Sequence, residues 1–276
     1  MFHVIIWGLD MRKISLCHLT VLDQAPPEAL RIAAQCGYDF VDLRIKPVVP
    51  SDVDYPVYGD TAMRRELLAM IGATGVSIFD VELVKLNEKT TPDDYLPMME
   101  AGARLGARRI KVGSGDAVFA RAKDLFAELT VHAKQHDLVA DFEFHPWGVV
   151  NNLNKAVQLA KASDGVGKVL VDALHLRRSG GHPSDLAGVD RNLFGYLHLC
   201  DAPLVAPASL DLIAHEARND RNVPGAGELP LHALLDQFSA DTPISLEVPM
   251  PGVSAKSRAK RAIDALRTLL AERNER

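Results

Sequence analysis

The sequence of 276 residues has few cysteines and no surplus of positive charge. Cys17, Cys36 and Cys200 are odd in number, unevenly spaced and without a CxxC pair, which argues against a disulfide framework and indicates a reducing compartment. The formal net charge of -5 lacks the basic excess on which binding to a nucleic-acid backbone depends. The sequence therefore predicts neither a disulfide-rich secreted protein nor a partner of nucleic acid.

Long hydrophobic runs are also missing. The first segment, MFHVIIWGLD, has an apolar run too short for a membrane span and lacks the basic region that precedes a signal sequence. A cytoplasmic protein that does not associate with membranes is the expectation. Residues 1–12 precede the first well-punctuated segment and are predicted to be an N-terminal extension, with one domain over residues 13–276.

Nucleotide-binding motifs are absent as well, because no GxGxxG or P-loop pattern follows an apolar run. What the sequence does contain is a sustained alternation of strand-length apolar runs and longer helical patterns. Strands are predicted at 13–19, 38–45, 76–84, 108–115, 138–145, 168–176, 194–202 and 243–250. Eight such units in roughly 250 residues favour an α/β fold, a single-domain (β/α)8 TIM barrel, over an open doubly wound sheet.

Three helices are predicted, two of them from clear end signals. PPEALRIAAQCG (26–37) has prolines in its first turn and a closing glycine, and TTPDDYLPMMEAGARLG (90–106) has a threonine cap and a closing glycine. The final segment, 254–276, places apolar residues at helical spacing. Residues 203–230 lack such a pattern and are predicted to form a long loop over the mouth of the barrel after strand seven.

Strand five, in the stretch LVADFEFHPWG, places three ionisable side chains on one face. Asp141, Glu143 and His145 alternate along the strand and so point to the same side. Such a face either lies at an edge in contact with water or binds a metal ion, since buried carboxylates are costly unless they are paired or bound to a metal. The neighbouring strands are needed to decide between these interpretations.

The ends of strands five to eight carry residues that favour the metal. Active sites of such barrels lie at the C-terminal ends of the strands, where these side chains converge. Two glutamates, one aspartate and one histidine form an oxygen-rich set that suits Mn²⁺, Mg²⁺ or Co²⁺ better than a structural zinc ion. The four residues are Glu143, Asp172, His198 and Glu247. The alternative, that each is only a capped or salt-bridged strand-end residue, becomes less attractive because the four coincide.

The phrases DFEFHPWG, VLVDALHL, YLHLCDA, NVPGAGELPL and ISLEVP, in this order, resemble the sugar phosphate isomerase/epimerase family of xylose isomerase-like TIM barrels. The resemblance runs from about Lys13 onward. It implies that the four strand-end residues bind one divalent ion (Mn, Mg, Co or Zn), and that Glu143 and Glu247 also transfer protons. It further implies substrate contacts from His175 and Arg221, and an assembly into homodimers or homotetramers.

Three branches of the same superfamily offer a comparison. Ketose 3-epimerases have a further glutamate six positions after the strand-five ligand, where this sequence has Val149. The pattern of Glu143, His145, Pro146 and Asn152 is instead similar to the 3-dehydroshikimate dehydratase branch, which implies that His145 takes part in proton abstraction. The endonuclease IV branch places histidines at the ends of strands two and three, and those ends here, DLRI and DVELV, contain none.

Several cations lie near the predicted strand ends and indicate an acidic substrate, because arginine binds carboxylate or phosphate with two hydrogen bonds. Arg44 and Lys111 are the predicted substrate contacts. The others are Lys46, Lys85 and Arg177. The alternative is that these side chains lie in solvent, and that Asp42, Asp80 and Glu82 are only salt-bridge partners.

The residues thus favour a metal-dependent isomerase or epimerase that moves a proton next to the carbonyl of a sugar, sugar phosphate or keto-acid through an enediolate. The ligand set does not choose among the outcomes, because a dehydration proceeds through the same intermediate. The first alternative is a lyase of the dehydratase type with His145 as its base. The second is a non-catalytic barrel that binds a sugar acid.

Overall fold

The structure, a computed structural model, describes residues 12–48 and 52–274. Eight parallel strands close into one barrel in sequence order, and β8 pairs with β1. The strands are β1 Ile14–Leu16, β2 Phe40–Arg44, β3 Ser77–Leu86, β4 Arg109–Ser114, β5 Val139–Glu143, β6 Lys168–Asp172, β7 Phe194–Leu199 and β8 Ile244–Leu246. This closed arrangement confirms the predicted (β/α)8 barrel. Seven of the strands lie within their predicted runs, and β3 extends two residues beyond the predicted end at residue 84.

Helices connect the strands and cover the outside of the barrel. They are α1 Pro26–Cys36, α2 Ala62–Thr74, α3 Leu96–Arg104, α4 Phe119–Gln135, α5 Leu153–Ala162, α6 Ala173–Arg178, α7 Leu210–Asn219, α8 Leu231–Leu235 and α9 Ala255–Asn274. Short 3₁₀ turns occur at His18–Val21, Pro92–Tyr95, Pro183–Leu186 and Arg191–Leu193. Among the described residues, no helix is long and apolar enough to cross a membrane.

The ends of α1 show how the sequence sets these boundaries. Two prolines occupy its first turn, where their missing N–H groups leave no helical hydrogen bond unmade. Gly37 follows the helix in the left-handed conformation, and its N–H donates to the carbonyl of Ala33. The predicted helix at 90–106 begins as a 3₁₀ turn at Pro92 and continues as α3.

Two predicted segments were wrong in detail. The predicted strand 168–176 ends at Asp172, because the carboxylate of Asp172 accepts a hydrogen bond from the backbone N–H of His175 and caps α6. The predicted loop 203–230 contains α7, which begins after the cap Ser209 and buries Ile213 and Ala217. A single amphipathic helix inside a polar, proline-rich region gave too weak a pattern to be recognised.

The predicted N-terminal extension falls almost entirely outside the described residues. Only Arg12 of this segment is described, and it is buried. Its guanidinium donates to the carbonyls of Leu235, Phe238 and Ser239, the last at 3.0 Å.

The interior of the barrel is unusually polar, whereas the layer between strands and helices is apolar. Near the N-terminal ends of the strands, Arg109 contacts Asp141 at 2.7 Å, and both side chains lie inside the barrel. Asp80 accepts a hydrogen bond from the hydroxyl of Tyr196. Each of these buried carboxylates therefore has a partner, as the cost of burying a charge requires. The face of strand five that carries the ionisable side chains therefore points into the barrel and not to water.

Candidate functional site

Three buried carboxylates meet around the buried His198 at the C-terminal end of the barrel. The Nδ1 atom of His198 lies 3.1 Å from Glu143 Oε1, 3.5 Å from Glu247 Oε2 and 3.8 Å from Asp172 Oδ2. One ligand atom from each of the four residues lies within 4.8 Å of those of the other three. The structure thus brings together the four residues that the sequence singles out, which lie at the C-terminal ends of the neighbouring strands β5, β6, β7 and β8.

The chemistry of this cluster fits a divalent metal ion. Glu143 Oε1 and both ring nitrogens of His198 are buried and make no hydrogen bond to any described residue. Orphaned buried polar atoms of this kind are rare in folded proteins, and a cation would satisfy Glu143 Oε1 and one of the two ring nitrogens. Three carboxylates and one imidazole can therefore hold a divalent metal ion here.

Cations already present in the site keep the glutamates ionised. Although burial opposes it, the charge of Lys111, the hydrogen bond from His145 and the neighbouring His198 hold the pKa of Glu143 well below its usual range. Arg221, Lys111 and His198 act in the same way against burial and lower the pKa of Glu247. Both glutamates are therefore carboxylates at neutral pH, which is the form that binds metal.

Arg221 lies inside the cluster instead of at its edge. Its Nη1 is 2.6 Å from Asp172 Oδ2, and its Nη2 is 2.6 Å from Glu247 Oε2. Its Nε donates to the carbonyl of Ala217, at the end of α7. The side chain is buried, so α7 and the chain that follows it orient two of the four cluster carboxylates.

Lys111 is likewise buried, although the sequence alone predicts a substrate contact. Its ammonium group pairs with Glu82 on β3 and lies 3.4 Å from Glu247 Oε1. Glu82 also lies 3.6 Å from the guanidinium of Arg44. The sequence interpretation of Glu82 as a salt-bridge partner agrees with these contacts.

Three packed aromatic rings lie beside the cluster. His145 Nε2 is 3.2 Å from Glu143 Oε2, and the His145 ring stacks on Trp147 with centroids 5.1 Å apart. His175 meets both rings edge-on and is buried, and burial lowers its pKa to about 4. Gly113 on β4 leaves room for the His145 ring. A Cβ at this position would lie only 3.3 Å from His145 Cε1 and would crowd it.

A cavity of about 800 Å³ opens above these residues. Its volume falls in the range of small-molecule sites. Of the residues that the sequence predicts, it is lined by Arg44, Lys111, Glu143, His145, His175, Arg221 and Glu247. Asp172 and His198 lie beneath the floor, where both are fully buried.

Of the other predicted cations, Lys85 also lines the cavity. Lys46 lies over the ring of Tyr95, and the guanidinium of Arg177 on α6 contacts His182. Asp201, two residues after β7, accepts hydrogen bonds from the N–H groups of Gly225 and Leu229 and so holds the loop that follows α7.

Sequence reasoning missed a second cation at the mouth. Arg218 on α7 lies over the indole of Trp147, 5.2 Å from the ring centroid, and both residues line the cavity. The signal was weak because recognition of Arg218 required α7, which was predicted as loop. Trp147 stands directly after the quoted histidine and proline, and its aromatic character was the available indication.

Comparison with known proteins places the chain in a family. Residues 30–269 match the model of the xylose isomerase-like TIM barrel family. The chain belongs to that family. This finding confirms the resemblance drawn from the motifs. The curated relatives are named 3-dehydroshikimate dehydratases, and solved structures with the same fold include a sugar phosphate isomerase/epimerase and a D-allulose 3-epimerase.

Two curated relatives share part of the chain. A 3-dehydroshikimate dehydratase of Pseudomonas putida is 29% identical over 145 residues, which are 50% of this chain and 22% of the relative. A 3-dehydroshikimate dehydratase of Pseudomonas aeruginosa is 30% identical over 152 residues, 53% of this chain and 23% of the relative. The matched segments thus span less than a quarter of the length of either relative.

Solved structures show the same fold at low identity. A xylose isomerase-like TIM barrel/4-hydroxyphenylpyruvate dioxygenase fusion protein has a TM-score of 0.78 and 21% identity, over 95% of this chain and 43% of that one. The IOLI protein with a bound zinc atom has a TM-score of 0.75 and 18% identity, over 94% and 98%. D-allulose 3-epimerase from Methylomonas sp. with D-allulose has a TM-score of 0.69 and 13% identity, over 93% and 96%.

Proposed function

We propose that the protein is a divalent-metal-dependent lyase that removes water from a small anionic, polyhydroxylated carbonyl compound, with Glu143, Asp172, His198 and Glu247 as the metal ligands. The observation that carries this proposal is a difference between the two sides of the cluster. His145 contacts Glu143 and lines the cavity, whereas both oxygens of Glu247 are engaged with donors. When bound, a divalent cation would polarise the substrate carbonyl and stabilise the negative charge that develops as the neighbouring C–H bond breaks.

His145 is the base in this proposal. If its Nε2 carries the proton that is donated to Glu143, its Nδ1 retains a lone pair on the side of the ring that Gly113 leaves open. The ring is held by stacking on Trp147, so it keeps this orientation beside the cavity. A histidine with one ring nitrogen bonded to a carboxylate and the other open to substrate is a common arrangement for a general base.

The opposite side of the cluster is less suited to proton transfer. Glu247 Oε1 accepts a hydrogen bond from the thiol of Cys17 at 3.2 Å and lies 3.4 Å from Lys111 Nζ. Glu247 Oε2 pairs with Arg221. Both oxygens are therefore engaged with donors, and the low pKa of this carboxylate opposes protonation.

This asymmetry favours dehydration over epimerisation. Epimerisation needs one group to remove a proton and another to return it on the opposite face, whereas elimination needs only one base. His145 takes the proton, the electrons of the C–H bond form a C=C bond, and the C–O bond of the β-hydroxyl breaks. The protonated His145 ring can return its proton to this hydroxyl, which leaves as water. The named activity of both curated relatives, 3-dehydroshikimate dehydratase, supports the same choice.

The charge of the cavity supports an anionic substrate. Arg44, Lys85 and Arg218 line its upper part, while Lys111 and Arg221 lie at its floor. Of these five, Arg44 and Lys111 share Glu82, and Arg221 is committed to the cluster. Lys85 and Arg218 are the exposed cations of the mouth and are placed to attract a carboxylate or phosphate.

An isomerase or epimerase is the second candidate. Its supporting observation is that carboxylate oxygens of Glu143 and Glu247 approach the same imidazole nitrogen within 3.1 and 3.5 Å, so that both could reach one bound substrate. In this case Glu247 would have to exchange a proton despite Arg221 and Lys111.

A direct assay separates the candidates. Purified protein is supplied with Mn²⁺, Mg²⁺, Co²⁺ or Zn²⁺ and given 3-dehydroshikimate, and loss of water is followed by mass spectrometry. His145→Ala should abolish turnover, whereas His132→Ala on α4 should not change it. Full activity of His145→Ala would remove His145 as base.

The same preparation is then incubated with D-allulose in deuterium oxide. Deuterium incorporation without loss of water would replace the lyase by the second candidate. Neither turnover nor exchange on either compound would favour the non-catalytic sugar-acid-binding barrel.

A further inference from the structure

A carboxylate that the proposed reaction does not use lies inside the barrel below the cluster. Asp42 on β2 is fully buried. Its Oδ1 accepts a hydrogen bond of 2.5 Å from the hydroxyl of Ser15 on β1, and its Oδ2 accepts one from the hydroxyl of Ser245 on β8. Two strands thus contribute one hydroxyl each to a single carboxylate, which has no cation among its hydrogen-bonded partners in the described part of the chain.

The strand register gives the depth of Asp42 in the barrel. Ser245 is paired with His198 on β7 and with Ser15 on β1. Glu247, in the cluster, lies two residues beyond Ser245 in the direction of the barrel mouth. Asp42, bound to both serines, therefore lies at the level of His198 and one layer below Glu247. A carboxylate oxygen of Asp42, a ring nitrogen of His198 and the sulfur of Cys17 lie within 4.8 Å of one another.

The two nitrogens of His198 face different surroundings. Nδ1 is the atom that approaches the three cluster carboxylates. Nε2, on the other side of the ring, is buried and has no hydrogen-bond partner among the described residues. A neutral imidazole that binds a metal through one nitrogen carries its proton on the other, and that N–H needs an acceptor.

We infer that Asp42 is this acceptor and acts as a positioning residue: it receives the Nε2–H of His198 and thereby fixes the tautomer and orientation of a metal ligand. The two serines hold the carboxylate in place, and they stabilise its charge without a competing cation. The inference rests on the proposed metal site. Carboxylate–histidine–metal arrangements of this kind contribute to metal affinity, and their loss typically weakens it about 10- to 100-fold.

Cys17 is a poorer acceptor than Asp42 for the Nε2–H of His198. A thiol is a weak acceptor, and the Cys17 thiol donates to Glu247 Oε1 instead. A second metal ion held by Cys17, Asp42 and His198 is the competing interpretation. It would require Cys17 as a thiolate, whereas the Cys17 thiol keeps its proton and donates it to Glu247 Oε1.

The test compares Asp42→Asn with Asp80→Asn. Asp80, on β3, is also a fully buried carboxylate of the barrel interior that accepts a hydroxyl donor, from Tyr196. The affinity for Mn²⁺ is measured by titration calorimetry on the metal-free wild type and on both variants. We expect about 10- to 100-fold weaker binding for Asp42→Asn, and a change of less than about 3-fold for Asp80→Asn. Equal losses in the two variants would overturn the inference.

A second measurement needs only the wild type and so holds even if Asp42→Asn fails to fold. Nitrogen-15 NMR of the Zn²⁺-loaded protein should show His198 protonated at Nε2, with slow proton exchange. An unprotonated Nε2, or a second bound metal equivalent that Cys17→Ser removes, would overturn the inference while leaving the proposed function intact. Absence of any metal binding by the wild type would overturn both.

Discussion

The ion pair between α6 and α7 should be one of the strongest single determinants of stability outside the barrel. Arg178 and Glu216 form two hydrogen bonds of 2.7 Å, from Nε to Oε2 and from Nη2 to Oε1. The arginine side chain is fully buried and the glutamate side chain is 11% exposed. Arg178 also donates to the carbonyl of Pro203 at 2.8 Å. Breaking such a pair leaves a buried guanidinium without its counter-charge.

Glu216→Gln keeps the size of the side chain and removes its charge. Removing one partner of a buried pair costs about 3 to 5 kcal/mol, and we expect a value near the lower end because the amide oxygen and Pro203 still accept from Arg178. Glu100→Gln is the matched control, since Glu100 and Arg104 form a similar pair on α3 with side chains 56% and 57% exposed. An exposed pair of this type contributes about 0.5 kcal/mol or less.

The assay is guanidinium denaturation followed by far-ultraviolet circular dichroism. The free energies of unfolding are compared between variants whose m-values equal that of the wild type. The reasoning predicts a large loss for Glu216→Gln and almost none for Glu100→Gln. A loss for Glu216→Gln that is no larger than that for Glu100→Gln would refute it, because burial would then not decide the contribution of the pair.

Two further predictions concern a glycine of the barrel and a histidine of the site. Gly195→Ala should destabilise the protein by more than about 3 kcal/mol or prevent soluble expression, because its Cβ would lie 1.6 Å from Asp141 Oδ1. Gly72→Ala in α2, with nothing within 4 Å, should stabilise it by up to about 1 kcal/mol, and the opposite order in thermal melts would contradict this account. Burial lowers the pKa of His175 to about 4, so in the metal-free protein the unfolded chain binds this proton first and stability falls as pH drops from about 6.5 towards 4. His175→Asn should flatten this acid limb in denaturation measured across that range, and an unchanged limb would show that His175 is not its source.

The barrel and its four-residue cluster were predictable from the sequence for one physical reason. Parallel strands bring their C-terminal ends to one rim, so residues that end successive strands must lie close together. Glu143, Asp172, His198 and Glu247 satisfy this rule, and the structure brings them around one imidazole nitrogen. The predicted lyase alternative likewise depended on a local pattern, the histidine two residues after Glu143.

The remaining contacts depend on depth in the barrel and on helices that cross its mouth. Lys111 and Arg221 were predicted to contact substrate, but their lengths let them reach inward to Glu82, Asp172 and Glu247. These partners are distant in sequence, and no local pattern indicates them.

The hydrogen bonds between polar side chains inside the barrel could not be predicted for the same reason. Ser15, Asp42 and Ser245 meet only because β8 closes on β1, so their hydrogen bonds follow from closure and not from any one strand. The contact of Arg218 with Trp147 similarly required α7 to be recognised as a helix.

The most direct test of the account is the metal content of the purified protein by elemental mass spectrometry, for the wild type, Glu143→Ala and Glu128→Ala, an exposed glutamate of α4 as control. The account predicts about one Mn, Mg, Co or Zn ion per chain in the wild type and in Glu128→Ala, and its loss in Glu143→Ala. No bound metal in the wild type, even after incubation with excess ion, would contradict the central claim that the four strand-end residues form a metal site.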